Sequence, residues 1–215
     1  SKKSGRPLHR AIVWQDRRTA QRCDELRSEG FEPTIRKLTG LVLDPYFSGT
    51  KMEWLLTRGG VERNQDLALG TIDSWLVWCL TGGRVHATDS SNASRTMLYD
   101  IGRLAWSEEL CSKFGVPIAS LPRVMPSSGR FGITDPESCA GLSIPVSGIA
   151  GDQQAALFGQ ACFEKGMAKN TYGTGSFVLV NLGTALPEPS VGLLTTIAWT
   201  IGDETTYAME GAIFV

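Results

Sequence analysis

From Ile144 onward the chain changes its hydrophobic period. "IPVSGIAGD" reads as a short apolar strand and "QQAALFGQACF" as a helix. "GMAKNTYGTGSFVLVNLG" reads as two strands around a Gly-Thr-Gly turn, and "LLTTIAWTIGDETTYAMEGAIFV" as a second hairpin turning at Gly202-Asp203. A strand, turn and helix followed by consecutive antiparallel strands is the pattern of one α/β unit ending while a second opens with hairpins. The boundary is placed near residue 160. The last residues, Ala212 to Val215, remain apolar and strand-like, with no stop signal, so the expectation is of a chain cut within a strand.

The preceding residues alternate short apolar runs with helices. Ala11 to Trp14 reads as a strand, followed by a helix from about Thr19 to a stop at Gly30. "LVLDPYFSGTKMEWLLTRGG" repeats that form, with an extended piece, a break at Pro45, a turn at Ser48-Gly49 and a helix ending at Gly59-Gly60. In "LGTIDSWLVWCLTGG", Asp73 or Ser74 reads as the N-cap of a largely buried helix with Trp75 and Trp78 in the core. The stretch from Thr88 to Asp135 is loop-rich, with one helix over Trp106 to Phe114, and reads as an elaboration packed on the core.

Charge narrows the partners. Twenty-one Lys and Arg against 22 Asp and Glu leave a net charge of -1, without a basic block, so neither a nucleic-acid nor a membrane footprint is expected. A small neutral or anionic ligand suits such a surface. The five cysteines are dispersed and never form Cys-x-x-Cys, which argues against a disulfide framework and against a zinc site. No apolar run is long enough to span a bilayer, and the opening "SKKSGRPLHR" has no apolar segment for a signal peptide, so the cytoplasm is the expected compartment.

The familiar phosphate-binding motifs are missing: there is no Gly-x-x-x-x-Gly-Lys-Ser/Thr, and "GTGSFV" lacks the third glycine of a dinucleotide fingerprint. What remains is "YGTGSF", where backbone N–H groups and the Thr174 hydroxyl at a hairpin tip suit phosphate oxygens, although Gly-x-Gly between strands is also a plain turn. Asp152 stands where a buried strand is expected to stop and a helix to start, the place where open α/β sheets bind ligands, and it is equally suited to be an N-cap. Trp14, Tyr46 and Phe177 suit either core packing or a ligand wall. His9 and His86 stand isolated and carry no argument.

Taken in order, "AIVWQDRRTA", "TGLVLDPYFSGTK", "GTIDSWLVW", "TDSSNASRTMLYDI", "IAGDQQAALFGQ", "KNTYGTGSF" and "GLLTTIAW" resemble successive segments of the FGGY carbohydrate kinases, and among them the members that phosphorylate glycerol. The resemblance covers essentially the whole chain. It implies an actin-like ATPase (ribonuclease H-like) α/β fold, with residues 1–160 as most of a first domain lacking its N-terminal hairpins and 161–215 as the opening strands of a second. It implies transfer of the γ-phosphoryl group of ATP, with Mg²⁺, to a terminal hydroxyl of glycerol, and a homo-oligomer for the complete enzyme.

The resemblance also assigns residues. Asp152 would be the catalytic base and the metal-side carboxylate, Gln153 and Tyr46 would hydrogen-bond glycerol hydroxyls, and Trp14 and Phe177 would pack on its carbons. Gly173 and Thr174 would contact the nucleotide phosphates. Two family features are not found in this sequence: a phosphate-binding hairpin with an Arg-Glu pair ahead of the matched region, and an adenosine segment after it. The chain is therefore expected to be a central fragment, inactive alone. The alternatives are an FGGY kinase for another polyol or ketose, and a noncatalytic actin-like scaffold.

Overall fold

Three helices in the first quarter of the chain build one wall of the main core. They are α1 (Ala20–Ser28), α2 (Glu32–Thr39) and α3 (Ser48–Thr57) in a computed structural model that describes residues 1–172, 175–189 and 192–214. Pro33 sits in the first turn of α2, where its missing N–H costs nothing, and Gly40 closes that helix at φ 71°, a left-handed position glycine adopts without strain. A Cβ on Gly40 would lie 2.5 Å from the Thr195 carbonyl oxygen, so this glycine also permits close approach to a later strand. Leu26, Ile35, Phe47, Met52, Leu98 and Phe114 meet in the core between these helices and the loops that follow.

The middle of the chain is short elements: α4 (Ile72–Leu80), β1 (Ala87–Asp89), α5 (Ser90–Ala93), β2 (Tyr99–Asp100), β3 (Ala105–Trp106), α6 (Glu108–Lys113) and β4 (Arg123–Met125). Asp89 caps α5, accepting from the amides of Ser91 and Asn92 at 3.0 and 2.9 Å and from the Ser127 hydroxyl at 2.5 Å, which satisfies a wholly buried carboxylate. Then come β5 (Ser128–Ile133), β6 (Pro145–Gly148), α7 (Asp152–Gly159), β7 (Ala168–Tyr172), β8 (Gly175–Gly183), β9 (Leu194–Ile201) and β10 (Glu204–Phe214).

The last six strands form one sheet in the order β6-β5-β9-β10-β8-β7, antiparallel except where β5 meets β9 at Ser128 and Ile201. Both expected hairpins are present, β7 with β8 and β9 with β10. β10 lies between β9 and β8 and shifts register against both at one place, around Tyr207. The Tyr207 hydroxyl donates to the Ile101 carbonyl at 2.9 Å and pins that place. The seam between β9 and α5 is made of hydroxyls: Ser90 pairs with Thr200 at 2.7 Å and Ser94 with Thr196 at 2.9 Å.

Several expectations need correction. Ala11 to Trp14 is not a strand, because no strand among the described residues runs beside it; the carbonyls of Val13 and Trp14 accept from the Lys51 ammonium instead. The N-cap position of α4 is Thr71, not Asp73 or Ser74, with no capping hydrogen bond from its side chain, and the helix is not largely buried: Ile72 is 64% exposed, Trp75 and Leu76 face outward, and only Ser74 and Val77 are buried. Trp78 is half-buried, edge-on to His86. The helix lies on the surface against β1, so one face is covered whatever its composition. β6 is likewise no buried strand, being an edge of the sheet with Pro145, Ser147 and Gly148 exposed.

Candidate active site

The loop between α2 and α3 presents Tyr46. The Asp44 carboxylate accepts from the Tyr46 amide at 2.8 Å, an Asx turn that fixes the Pro45-Tyr46 tip, and the Phe47 amide closes on the Asp44 carbonyl at 3.2 Å. Lys51, in the first turns of α3, is 6% exposed and sends its ammonium back to the carbonyls of Val13 at 2.8 Å, Trp14 at 3.3 Å and Tyr46 at 3.4 Å. One cation thus ties the irregular Trp14 segment to the Tyr46 loop. Burial lowers its pKa from the usual lysine range, and Asp16 and Asp44 oppose that fall. The Trp14 and Tyr46 rings meet edge to face with centroids 5.5 Å apart.

β8 brings Phe177 to the same place, β9 brings Leu194 and β10 brings Glu210. Trp14, Tyr46, Phe177 and Glu210 line a cavity of about 430 Å³ that also touches Asp44 and Val42. Three of the five residues expected to hold substrate therefore converge. Behind this wall Arg95 lies over the rings of Phe47 and Tyr46, with its guanidinium 5.1 and 5.8 Å from their centroids. Its Nη2 is 3.0 Å from each carboxylate oxygen of Glu210, which is only 3% exposed. Burial raises the pKa of the Tyr46 hydroxyl, the Arg95 guanidinium offsets part of the rise, and Glu210 and Asp152 add to it.

Asp152 and Gln153 stand at the start of α7 and are not among the residues lining the cavity. Asp152 is not an N-cap: Gly151 precedes the helix, and the exposed Asp152 carboxylate accepts from Gln153 Nε2 at 2.9 Å rather than from helix amides. The strand-end turn is held from behind, by the Gly151 amide donating to Ser91 Oγ at 2.9 Å and by buried Gln154 donating to Thr196 Oγ1 at 3.2 Å. Lys169 on β7 links the two groups of residues. Its buried ammonium donates to Gln153 Oε1, to Thr171 Oγ1 at 2.8 Å and to the Phe177 carbonyl at 3.4 Å. Burial lowers the Lys169 pKa, while Glu210 and Asp152 pull it back up.

Gly173 and Thr174 lie outside the described residues. Among the described residues no group of three or more His, Cys, Asp or Glu side chains gathers as a metal cage. A lone exposed carboxylate such as Asp152 suits Mg²⁺, which keeps waters and takes one or two carboxylates plus phosphate oxygens. The sequence reading missed Lys51, Arg95, Lys169 and Glu210. The available signal was a single charge inside an otherwise apolar or small-residue run, as in "TTYAMEGAIF" and "GMAKNTY".

Residues 1–159 match the N-terminal domain of the FGGY family of carbohydrate kinases. The glycerol kinase of Carboxydothermus hydrogenoformans is 58% identical over 216 residues, covering 99% of this chain and 43% of that protein. The glycerol kinase of Halorhodospira halophila is 59% identical, with the same coverage. The chain thus spans less than half the length of these relatives. The crystal structure of Plasmodium falciparum glycerol kinase with ADP aligns over 98% of this chain and 43% of its own, at 39% identity and a TM-score of 0.92. A xylulose kinase structure from Lactobacillus acidophilus, 19% identical, covers 95% of this chain and 41% of its own with a TM-score of 0.81, which shows the shared fold alone. These neighbours have the actin-like, ribonuclease H-like fold, and this chain has it too. On the match over residues 1–159, supported by this agreement in fold, the chain belongs to the FGGY family of carbohydrate kinases.

Proposed function

We propose that this chain supplies the polyol pocket of a kinase that transfers the γ-phosphoryl group of ATP to a terminal hydroxyl of glycerol, giving sn-glycerol 3-phosphate. The observation that carries the reading is the convergence of Trp14, Tyr46 and Phe177 on one small cavity. Aromatic walls cover the apolar CH faces of a three-carbon polyol and leave its hydroxyls to fixed polar partners. The identity of 55–59% to relatives named glycerol kinase supports the same substrate. Residues 1–160 are assigned to the first kinase domain and 161–215 to the opening strands of the second.

In this reading Tyr46 and Gln153 bond two glycerol hydroxyls, and Asp152 Oδ accepts the proton of the attacking one. Gln153 is held for the task by Lys169, and Lys169 also donates to the Phe177 carbonyl, so one ammonium joins the polar and the aromatic contacts. Gly173 and Thr174 are assigned to the nucleotide phosphates. Asp152 would hold Mg²⁺, which when bound offsets charge on the transferring phosphoryl group. The reading also carries a cytoplasmic, homo-oligomeric enzyme with no nucleic-acid or membrane partner; no helix among the described residues is long and apolar enough to cross a membrane.

The test is ATP-dependent phosphorylation of glycerol by the full natural chain that carries this sequence, beside its Asp152→Asn variant. Loss of turnover by a factor of about 100 or more with glycerol affinity retained is expected, because the amide keeps the shape and cannot take the proton. Turnover within a few-fold of the unaltered protein would remove Asp152 from the chemistry.

A further inference from the structure

The first turn of α3 rests on a turn whose backbone is strained at a non-glycine residue. Met97 is wholly buried at φ 60°, the left-handed region where side chains are disfavoured and where a helix commonly ends on glycine. Its neighbours hold it there: Thr96 Oγ1 donates to the Ala93 carbonyl at 2.7 Å and accepts from the Leu98 amide at 3.2 Å, and the Ser107 amide donates to the Leu98 carbonyl at 2.8 Å. Residues kept in such conformations cluster at functional sites. This turn touches the pocket wall twice. A Cβ on Gly49, the second residue of α3, would lie 2.8 Å from the Thr96 carbonyl oxygen and 3.5 Å from Met97 Cβ. Two residues before Met97, Arg95 lies over the rings of Phe47 and Tyr46, which line the cavity with Trp14 and Phe177.

Phe47 is the N-cap residue of α3, with Tyr46 just before it, so the closeness of Gly49 to the turn fixes where both rings stand. We propose that Gly49 and the turn at Thr96 and Met97 form a positioning contact that sets the depth of Tyr46 and Phe47 in the pocket. The inference rests on the polyol-kinase reading above and adds positioning residues to it. A methyl group at Gly49 pushes the start of α3 off the Thr96 carbonyl, a backbone atom that cannot swing aside, and carries both rings with it. Asp152 and Gln153 stand on α7, which is anchored separately through Gly151 to Ser91 and through Gln154 to Thr196, and they stay in place. An aromatic wall contacts the polyol alike before and during transfer, so displacing it weakens binding and spares the chemical step.

The experiment is steady-state phosphorylation of glycerol by the full natural chain and by its Gly49→Ala variant, with stability read by urea unfolding. The glycerol KM should rise about 10-fold while kcat stays within about 3-fold and the KM for ATP is unchanged. Leu26→Ala, in α1 and in the same core, is the control: it should lower the urea midpoint at least as far and leave the glycerol KM alone. Thr96→Val keeps the shape and removes the hydroxyl that holds the turn, so it should raise the glycerol KM by about 3-fold. It carries the test if Gly49→Ala does not fold. A glycerol KM unmoved in both variants, an equal rise in Leu26→Ala, or a fall in kcat as large as the rise in KM would overturn the proposal and leave the contact as packing. Any of these results with an active unaltered protein refutes this inference alone; no phosphorylation by the unaltered protein refutes the kinase reading and this inference with it.

Discussion

The Lys51 ammonium donates to the Val13 carbonyl oxygen at 2.8 Å across 38 positions of sequence. The segment it holds has no strand beside it among the described residues, so the aromatic wall at Trp14 depends on a side chain where a ladder of backbone bonds would otherwise serve.

Lys51→Met keeps the apolar stem and removes the three donors. It should lower stability by about 1.5–3 kcal/mol, the usual cost of losing buried hydrogen bonds to a charged group. It should also free Trp14, seen as increased quenching of tryptophan fluorescence by acrylamide. Unchanged quenching and an unchanged urea midpoint would show that the segment is held by packing alone.

Gly40→Ala tests the junction between α2 and β9. The left-handed backbone and the Thr195 carbonyl 2.5 Å from the new Cβ oppose the substitution together, so a loss of about 2 kcal/mol or more is expected in urea unfolding. Unperturbed stability would mean that the helix end and the strand can separate freely.

Cysteine labelling has a sign that follows from burial. Burial pushes the thiols of Cys23 and Cys111 up to about 11, whereas Cys79 is exposed. Iodoacetamide at pH 8 should modify Cys79 first and leave Cys23 and Cys111 unmodified until the chain is unfolded, as read by peptide mass spectrometry. Because both buried thiols hold their protons more tightly when folded, they contribute stability fully below about pH 9.0, and that contribution is lost as pH rises towards about 11. Early labelling of Cys23 would place it in a mobile region.

Self-association of the 215-residue chain is expected from its surface. β6 is an edge strand, Leu142 and Ile144 beside it are more than 40% exposed, and α4 turns Ile72 and Leu76 outward. Such edges and apolar residues invite pairing between copies. Light scattering should show species larger than a monomer, reduced by Leu76→Lys with Ile144→Lys. A monomer at all concentrations would contradict this.

The elements that could be read from sequence were those with local causes. The helix before Gly30, the helix after Ser48 and the two C-terminal hairpins are marked by caps, turns and alternation within a few residues, and they appear where expected. Ala11 to Trp14 has a strand's composition, but a strand needs a neighbour, which no local signal reports. α4 misled for the opposite reason, since apolar residues all round a helix suggest burial and its surface position does not. Trp14, Tyr46 and Phe177, far apart in sequence, line one cavity. Arg95 and Glu210, 115 positions apart in sequence, become a pair only once the sheet exists.

The register shift at Tyr207 makes β10 a vernier. Glu210 lies three positions beyond this fixed point, and alternation sends successive side chains to opposite faces. Inserting or deleting a single residue between the two would leave the hydrogen-bond ladder intact while rotating Met209 or Gly211 into the place of the carboxylate. The length of that short interval therefore decides which side chain stands opposite Arg95.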